Sequence, residues 1–171
     1  MTSNTHAIAI MGVSSCGKST VAAAISQRTS ASLIEGDDFH PPENIRKMSA
    51  GIPLTDDDRH GWLERLAQEV SHRLSQSERV VFTCSALKHR YRDTLRRAIP
   101  DLGFAFLELT PAQATERAQH RTGHFMPASL IGSQFHDLQS PEGEPQVLTV
   151  DATKSVEAIT DEVIAWWHGM Q

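Results

Sequence analysis

Short runs of consecutive apolar residues recur along the chain and are separated by longer segments with a different periodicity. The runs lie at residues 6–11, 32–35, 79–84, 103–109 and 146–150. Continuous rather than alternating apolar positions are typical of strands that are covered on both faces of a sheet. The pattern therefore predicts five buried strands.

The segments between these runs show helical periodicity. Three apolar stripes are spaced three or four residues apart: Trp62, Leu66, Val70 and Leu74; Tyr91, Leu95 and Ile99; and Val156, Ile159, Val163 and Trp166. Strands that alternate with helices favour a parallel sheet, because parallel neighbours need crossover connections. The predicted fold class is α/β, with a five-stranded parallel sheet between two helical layers and ligands at the carboxyl ends of the strands.

The chain has 171 residues, which fits a single domain spanning 1–171 and is too short for two ordinary ones. No internal repeat, low-complexity stretch or linker interrupts it. The most irregular segments are residues 41–55 and 140–145. We therefore expect one core and no accessory domain.

Charge and composition narrow the class of partner. A formal net charge of -5 argues against general binding to nucleic acids or membrane surfaces, which are held by an excess of Lys and Arg. No apolar run approaches the roughly 20 residues of a membrane span, and the first residues lack an export signal. Cys16 and Cys84 belong to no C-x-x-C pair, so reduced thiols are expected. We predict a cytoplasmic protein with small-molecule partners.

The sequence G-x-x-x-x-G-K-S lies between the first predicted strand and a helical segment. A turn that leaves a strand and enters a helix directs backbone N–H groups and the positive helix end at one point, where a phosphate chain can bind. In this motif Lys18 reaches the β- and γ-phosphates and the Ser19 hydroxyl ligates Mg²⁺. A chance match is the alternative, which the flanking strand and helix oppose. The predicted ATP-binding residues are Gly12, Val13, Ser14, Ser15, Cys16, Gly17, Lys18, Ser19 and Thr20.

Two carboxylates follow the second predicted strand. Glu35 and Asp37 are two residues apart, so on an extended segment they point to the same side, toward the phosphate loop. A kinase needs one carboxylate near Mg²⁺ and another that positions or deprotonates the attacking hydroxyl. We assign Glu35 to the metal, directly or through water, and Asp37 to the hydroxyl. An ordinary acidic loop or a helix N-cap is the alternative.

The third predicted strand ends without the acidic residue that many phosphate-loop ATPases carry, which weakens a motor or switch interpretation. Basic residues follow instead. Lys88 and Arg92 are four apart, so one helix face can present both to a carboxylate or phosphate. A solvated basic face is the alternative for this segment.

A second pair of basic residues, Arg117 and Arg121, lies on a predicted helix spanning 111–121. Arginines beside a turn can close over a transferring phosphoryl group and neutralise its charge. We assign Arg121 a catalytic role in a short lid at about residues 121–140. Surface salt bridges, for instance with Glu116, are the alternative.

Taken together, these segments resemble the gluconokinase family of phosphate-loop carbohydrate kinases, relatives of shikimate and nucleoside-monophosphate kinases. The resemblance covers nearly the whole chain. It departs from the family at Ser15, where Gly is frequent, and at Glu35, where Asp is common. It is carried by the loop from Gly12 to Thr20; Glu35-Gly36-Asp37 with His40-Pro41; Asn44-Ile45, Lys47-Met48 and Gly51 with Pro53-Leu54; Asp56-Asp57-Asp58-Arg59 with Trp62-Leu63; Cys84-Ser85-Ala86-Leu87-Lys88 with Tyr91-Arg92-Asp93 and Leu95-Arg96; Arg121 with Gly123-His124-Phe125; and Gln134-Phe135.

The resemblance implies a phosphate-loop kinase fold and ATP-dependent phosphorylation of D-gluconate at its terminal hydroxyl. It also implies a homodimer, which the sequence itself does not show. A site for gluconate needs a cation for the carboxylate, for which the candidates are Arg59, Lys88 and Arg92. His40 and Asp37 are the candidates for the hydroxyl that is phosphorylated.

Two other functions remain open from the sequence. One is a kinase of the same fold that acts on another small hydroxylated acceptor, such as shikimate or a related sugar acid, because one fold serves many acceptors. The other is a nucleotide-sensing module that changes shape on ATP binding without transferring phosphate.

Overall fold

The structure is a computed structural model, which describes residues 5–76, 78–120 and 130–170. Its strands form one sheet in the order β2-β3-β1-β4-β5, and every neighbouring pair is parallel. The prediction of an α/β fold around a five-stranded parallel sheet is confirmed. The strands are β1 Ala7–Met11, β2 Ser32–Glu35, β3 Val80–Thr83, β4 Gly103–Glu108 and β5 Val147–Asp151.

Helices connect the strands in the described part of the chain, and a single 3-10 turn, Gly36–Phe39, follows β2. No helix among these residues combines the length and apolarity that crossing a bilayer requires. The helices are α1 Lys18–Thr29, α2 Pro42–Ser49, α3 Asp56–Ser75, α4 His89–Ala98, α5 Pro111–Gln119, α6 Ile131–Asp137 and α7 Val156–Gly169.

Helices cover both faces of the sheet, which is why the strands are continuously apolar. Ile8 and Ile10 of β1 pack with α1 and α7 on one face. Ala9 and Met11 of the same strand pack with α3 and α4 on the other face. Every residue of β1 is buried, so the phosphate loop that follows it is attached to the centre of the sheet.

The long helix α3 begins with a capping box. The Thr55 hydroxyl accepts from the backbone N–H of Asp58, and the Asp58 carboxylate accepts from the N–H of Thr55. Two N–H groups that the helix itself leaves unpaired are thereby satisfied. This cap fixes the start of the helix that carries Arg59 and Trp62.

Three local predictions need correction. The segment after Glu35 is a 3-10 turn rather than extended chain, so the alternation argument for Asp37 was wrong. Residues 41–55, predicted as irregular, contain α2. On α7 the fully buried tryptophan is Trp167, whereas Val156 is exposed. Arg121 and the first part of the predicted lid lie outside the described residues.

Arg92 does not fit the prediction that it binds a substrate carboxylate or phosphate together with Lys88. Its side chain is 0% exposed, and its five N–H groups donate to acceptors within the fold. Two of them reach Glu144 at 2.7 and 3.0 Å, and the other three reach the backbone carbonyls of Ala86, Leu87 and Gln139. Arg92 therefore holds loops together and has no N–H left for a substrate.

Glu144 should make this network sensitive to acid. Burial raises the pKa of its carboxyl, but hydrogen bonds from Arg92, His89 and Arg96 outweigh burial and hold the pKa at about 2. A pKa lowered by folding contributes stability above the unfolded value, which is lost as pH falls toward the folded value. We expect this contribution, of the order of 2 kcal/mol, to be complete above about pH 5 and to disappear between about pH 4.5 and 2.

Thermal melting from pH 7 to 3 checks this expectation in Glu144→Gln and in the matched control Glu142→Gln, whose side chain is exposed. The Glu144 variant should be less stable at pH 7 and should approach the parent as pH falls. If the melting temperatures of the parent and of Glu144→Gln differed by the same amount at every pH, the assignment would be contradicted.

Candidate active site

The carboxyl ends of the strands border one cavity of about 650 Å³. Its walls come from the phosphate loop, the turn after β2, and helices α2, α3, α5 and α6. The lining residues are Ser14, Ser15, Gly17, Lys18, Ser19, Thr20, Asp37, His40, Met48, Leu54, Arg59, Trp62, Ser85, Leu87, Gln113, Glu116, Arg117, His120, Gln134 and Thr153.

The phosphate loop needs residues that tolerate positive φ. Gly12 has φ 145°, and a Cβ there would lie 2.8 Å from the Leu107 carbonyl oxygen. Gly17 has φ 97° at the N-cap of α1. Ser15 also lies in the left-handed region, at φ 70°, where a non-glycine residue costs of the order of 1 kcal/mol. The departure from Gly at this position therefore carries a measurable strain.

Lys18 is the first residue of α1 and folds back over the loop. Its ammonium group donates to the carbonyls of Gly12 and Val13, both at 2.9 Å. Lys18 also lines the cavity. The positive charge thus lies beside the N-terminus of α1, where the helix dipole already favours an anion.

Three oxygen-bearing side chains meet where β2 and β3 end. The hydroxyls of Ser19 and Thr83 donate to the same oxygen of Glu35, at 3.0 and 2.8 Å. Glu35 and Thr83 are register partners on neighbouring strands, so the parallel pairing brings them together. The structure therefore places Glu35 next to Ser19, as the sequence suggested, and adds Thr83 to the pair.

The far end of the cavity holds acidic, basic and aromatic groups. Asp37, His40 and Arg59 line it together with the apolar side chains of Met48 and Leu54. The Asp37 side chain is 60% exposed, whereas that of His40 is 4% exposed. Asp37 lines the same cavity as Lys18. It does so although it lies on a 3-10 turn and not on the extended segment that was predicted.

The imidazole of His40 is stacked on the indole of Trp62, with the ring centroids 4.1 Å apart. Burial, helped by the positive charge of Arg59, lowers the pKa of His40 from 6.5 to about 4. His40 is consequently neutral at pH 7. The indole N–H donates to the Gly36 carbonyl at 2.7 Å and fixes the ring on which His40 rests.

Arg59 is held in place by two neighbours. Its guanidinium donates to the Tyr91 hydroxyl at 2.9 Å and to Asp137 at 3.1 Å. Tyr91 in turn donates to Asp56. Arg59 makes both contacts, including the ion pair with Asp137, through one nitrogen, which fixes its position in the cavity wall.

Lys88 lies on the outer side of this network. Its ammonium donates to Asp56 at 2.9 Å, which raises the pKa of Lys88. It precedes α4 as the N-cap residue rather than sharing a helix face with Arg92. Of the three cations predicted for a substrate carboxylate, Arg59 is the one that lines the cavity.

The other end of the cavity lies between α5 and the loop after β5. Arg117 donates to the Ala152 carbonyl at 2.7 Å and to the carbonyls of Ser15 and Cys16 at 3.5 and 3.4 Å. Thr153 lines the cavity beside it. Sequence reasoning considered Arg117 and Arg121 as a pair but assigned the lid role to Arg121 alone, which lies outside the described residues.

Gln134 is a further residue for which the sequence gave no role. The side-chain carbonyl of Gln134 accepts from the backbone N–H of Ser14 at 2.6 Å, across 120 residues of sequence. Both groups are buried. Helix α6 therefore braces the phosphate loop, a contact that no local sequence signal reports.

Comparison with known proteins gives results of three kinds. A family model described as an AAA domain matches residues 8–140. A curated protein from Escherichia coli K12, described as a thermosensitive gluconokinase, is 40% identical over 154 residues, covering 90% of this chain and 82% of that protein. A crystal structure described as a gluconokinase from Sinorhizobium meliloti 1021 is 46% identical with a TM-score of 0.88, covering 98% of this chain and 94% of the other.

A further curated relative, described as the gluconokinase of Gluconobacter oxydans 621H, is 39% identical over 157 residues. It covers 92% of this chain and 88% of that protein. The two curated relatives and the crystal structure each cover 90% or more of this chain.

Proposed function

Because the chain belongs to the gluconokinase family, we propose that it transfers the γ-phosphoryl group of ATP to the terminal hydroxyl of D-gluconate, giving 6-phospho-D-gluconate and ADP. The single observation that best supports this reaction is one cavity that is lined by Lys18, Asp37 and Arg59. Phosphoryl transfer depends mainly on positioning and electrostatics, which such a cavity supplies.

The nucleotide would lie along the phosphate-loop end. Backbone N–H groups at the start of α1 and the Lys18 ammonium would hold the β- and γ-phosphates. The base would then extend toward Arg117 and Thr153, where a planar guanidinium offers a stacking surface. This arrangement leaves the γ-phosphate facing Asp37.

Mg²⁺ is the metal that the oxygen cluster would suit. Ser19 and Glu35 supply a hydroxyl and a carboxylate, and magnesium prefers oxygen ligands while keeping several waters and substrate phosphates. No group of three His, Cys, Asp or Glu side chains that could hold a metal occurs in residues 5–76, 78–120 and 130–170, which suits an ion held largely by nucleotide and water. When bound, it would neutralise phosphate charge.

The opposite end of the cavity would bind the sugar acid. Arg59 supplies a fixed positive charge for the carboxylate, and Asp37 supplies a carboxylate that accepts the hydroxyl proton. D-gluconate has its carboxylate and its reacting alcohol at opposite ends of the chain, so two separate groups, Arg59 and Asp37, would be needed to hold it. Lys18 and Asp37 would act on the reacting atoms directly, with Arg121 closing over them from a lid at residues 121–140.

We expect Arg59→Gln to raise the KM for gluconate about 10- to 100-fold and to change the KM for ATP by less than about threefold. The reason is that the substitution removes the cation that lines the acceptor end and leaves the phosphate loop intact. Steady-state kinetics with each substrate varied in turn measure both constants. Arg65→Gln, an exposed arginine on the same helix, is the matched control.

Lys88→Gln belongs in the same series, because the sequence assigned Lys88 to the substrate carboxylate. The position of Lys88 outside the cavity lining predicts a smaller rise in the gluconate KM than Arg59→Gln gives. A larger rise in the gluconate KM of the Lys88 variant would indicate that Lys88 binds the substrate carboxylate and would contradict the assignment to Arg59.

A coupled ADP assay with ATP and Mg²⁺ across sugar acids, shikimate and nucleoside monophosphates tests the reaction itself. Gluconate should give the highest kcat/KM. Turnover on shikimate or a nucleotide with none on gluconate would favour another acceptor for the same fold. ATP binding with no turnover on any acceptor would favour the nucleotide-sensing module.

We further propose that the enzyme is a single kinase domain that works in the cytoplasm as a homodimer. The family resemblance supports the dimer. The buried free thiols of Cys16 and Cys84 suit a reducing compartment. Sedimentation equilibrium would give the mass of the assembly, and a monomer at micromolar concentration would count against the dimer.

A further inference from the structure

Asn44 lies on α2 behind the acceptor end of the cavity and is 2% exposed. The amide nitrogen of its side chain lies 2.9 Å from the backbone carbonyl oxygen of Asp58. A carbonyl oxygen only accepts hydrogen bonds, so the atom facing it must be the NH₂ group of Asn44. The orientation of this amide is therefore fixed by its partner.

The same amide nitrogen lies 3.2 Å from Nδ1 of His40. An NH₂ group has two hydrogens and no acceptor capacity, so it donates one to Asp58 and the other to Nδ1. Nδ1 must consequently carry a lone pair, and the single proton of the neutral ring must be on Nε2. Asn44 thus selects one of the two tautomers of His40.

The Nε2–H of His40 is directed toward the acceptor end of the cavity. Its nitrogen lies 3.7 Å from Oδ1 of Asp37, which is beyond hydrogen-bond distance. Stacking on Trp62 prevents the buried ring from turning away. A sugar hydroxyl placed between these two groups would receive a hydrogen bond from His40 and donate its own proton to Asp37.

We propose that Asn44 is a positioning residue that locks His40 as an Nε2–H donor, and that this N–H binds a hydroxyl oxygen of the sugar acid beside Asp37. The inference rests on the proposed function, since it concerns how that site holds a polyol. It gives the His40 ring the role of a hydrogen-bond donor, so proton abstraction is left to Asp37.

Burial, helped by the charge of Arg59, keeps the ring neutral against the opposing charge of Asp37. Asp37 faces it from its own turn, and Arg59 and Asp58 approach it from α3. Lys47 of α2 pairs with the Asp58 carboxylate at 2.7 Å, so those two charges offset each other. Burial and Arg59 lower the pKa of His40 to about 4, so the donor keeps one form across the neutral range.

Two substitutions of His40 test the donor. Gln places an amide N–H near the position of Nε2, whereas Asn reaches only the position of Nδ1. We expect His40→Asn to lose roughly 10- to 100-fold in kcat/KM for gluconate and His40→Gln to lose about tenfold less than His40→Asn, with the KM for ATP unchanged in both. Equal losses in the two variants would overturn the proposed donor.

Asn44→Asp tests the lock, because a carboxylate accepts a hydrogen bond where the amide donated one. The ring would then carry its proton on Nδ1, and the new carboxylate would raise the pKa of the ring above that in the parent. Nε2 would regain a hydrogen only as the ring becomes charged, which therefore begins at a higher pH than in the parent. We therefore expect gluconate kcat/KM of this variant, relative to the parent, to rise as pH falls from 8 to 6. A ratio that is independent of pH would overturn the lock.

A spectroscopic measurement needs no activity and no substitution that endangers folding. Long-range ¹H–¹⁵N correlation spectra of the parent protein at pH 7 distinguish a protonated ring nitrogen from one with a lone pair, and His40→Gln assigns the signals. Protonated Nε2 is expected, and protonated Nδ1 would overturn the proposal. Gluconate turnover by the parent is measured alongside, so failure of the proposed function is seen separately from failure of the lock.

Discussion

Replacing Lys18 with alanine is expected to lower kcat/KM by about 10³-fold or more. Lys18 lines the cavity beside the start of α1 and carries the charge that would offset the β- and γ-phosphates as the γ-phosphoryl group leaves. Stabilisation of the charge that develops in the transition state is usually the largest single contribution to catalysis.

The variant should lose turnover and ATP affinity without unfolding. Its two hydrogen bonds to the loop carbonyls of Gly12 and Val13 can be replaced by water, since the side chain is partly exposed. Steady-state kinetics, ATP titration by calorimetry and thermal melting measure the three effects. Arg28→Ala is the matched control, because it removes a cation of the same helix that pairs with Asp161 away from the cleft. Near-parental kcat/KM in Lys18→Ala would contradict the phosphate assignment.

Asp37→Asn is expected to lower kcat by about 10² to 10⁴-fold and to leave the KM for ATP within about threefold of the parent. The substitution keeps the size of the side chain but removes the carboxylate that accepts the proton of the attacking hydroxyl. Because Asp37 lies on the turn after β2 and is not part of the phosphate loop, nucleotide binding should be preserved.

Asp38→Asn is the matched control, since the neighbouring residue shares the same 3-10 turn and is exposed outside the cavity lining. It should retain nearly full turnover. Rapid-quench measurement of the chemical step in both variants separates phosphoryl transfer from product release. If Asp37→Asn turned over as fast as the parent, Asp37 would not be the group that receives the proton.

Much of the architecture could be predicted because burial on both faces leaves a strong signal in the sequence. The predicted runs differ from the observed strands by at most one residue at either end. The short helix α2 was missed because Pro41 and Pro42 read as a break, although Pro is favoured in the first turn of a helix. The buried side of α7 was misplaced by one residue, since Trp166 and Trp167 are adjacent and only packing decides between them.

In the site, too, some residues could be predicted from local sequence rules, whereas others are revealed only by tertiary contacts. Glu35 was found because strand ends in a parallel sheet converge, a rule that needs no knowledge of side-chain packing. Thr83 and Gln134 were missed because their partners are 48 and 120 residues away. Arg92 was assigned to a substrate carboxylate because the sequence does not reveal that its guanidinium pairs with Glu144 inside the fold.

Because His40 is stacked on Trp62, tryptophan fluorescence could detect a ligand at the acceptor end of the cleft. Indole fluorescence responds to hydrogen bonding and to charge nearby, and Trp62 lies against the residue that would touch the sugar acid. The other two tryptophans, Trp166 and Trp167, lie on α7 at the opposite face of the sheet. Their emission would form a constant background, so an unlabelled sample could report acceptor occupancy in real time.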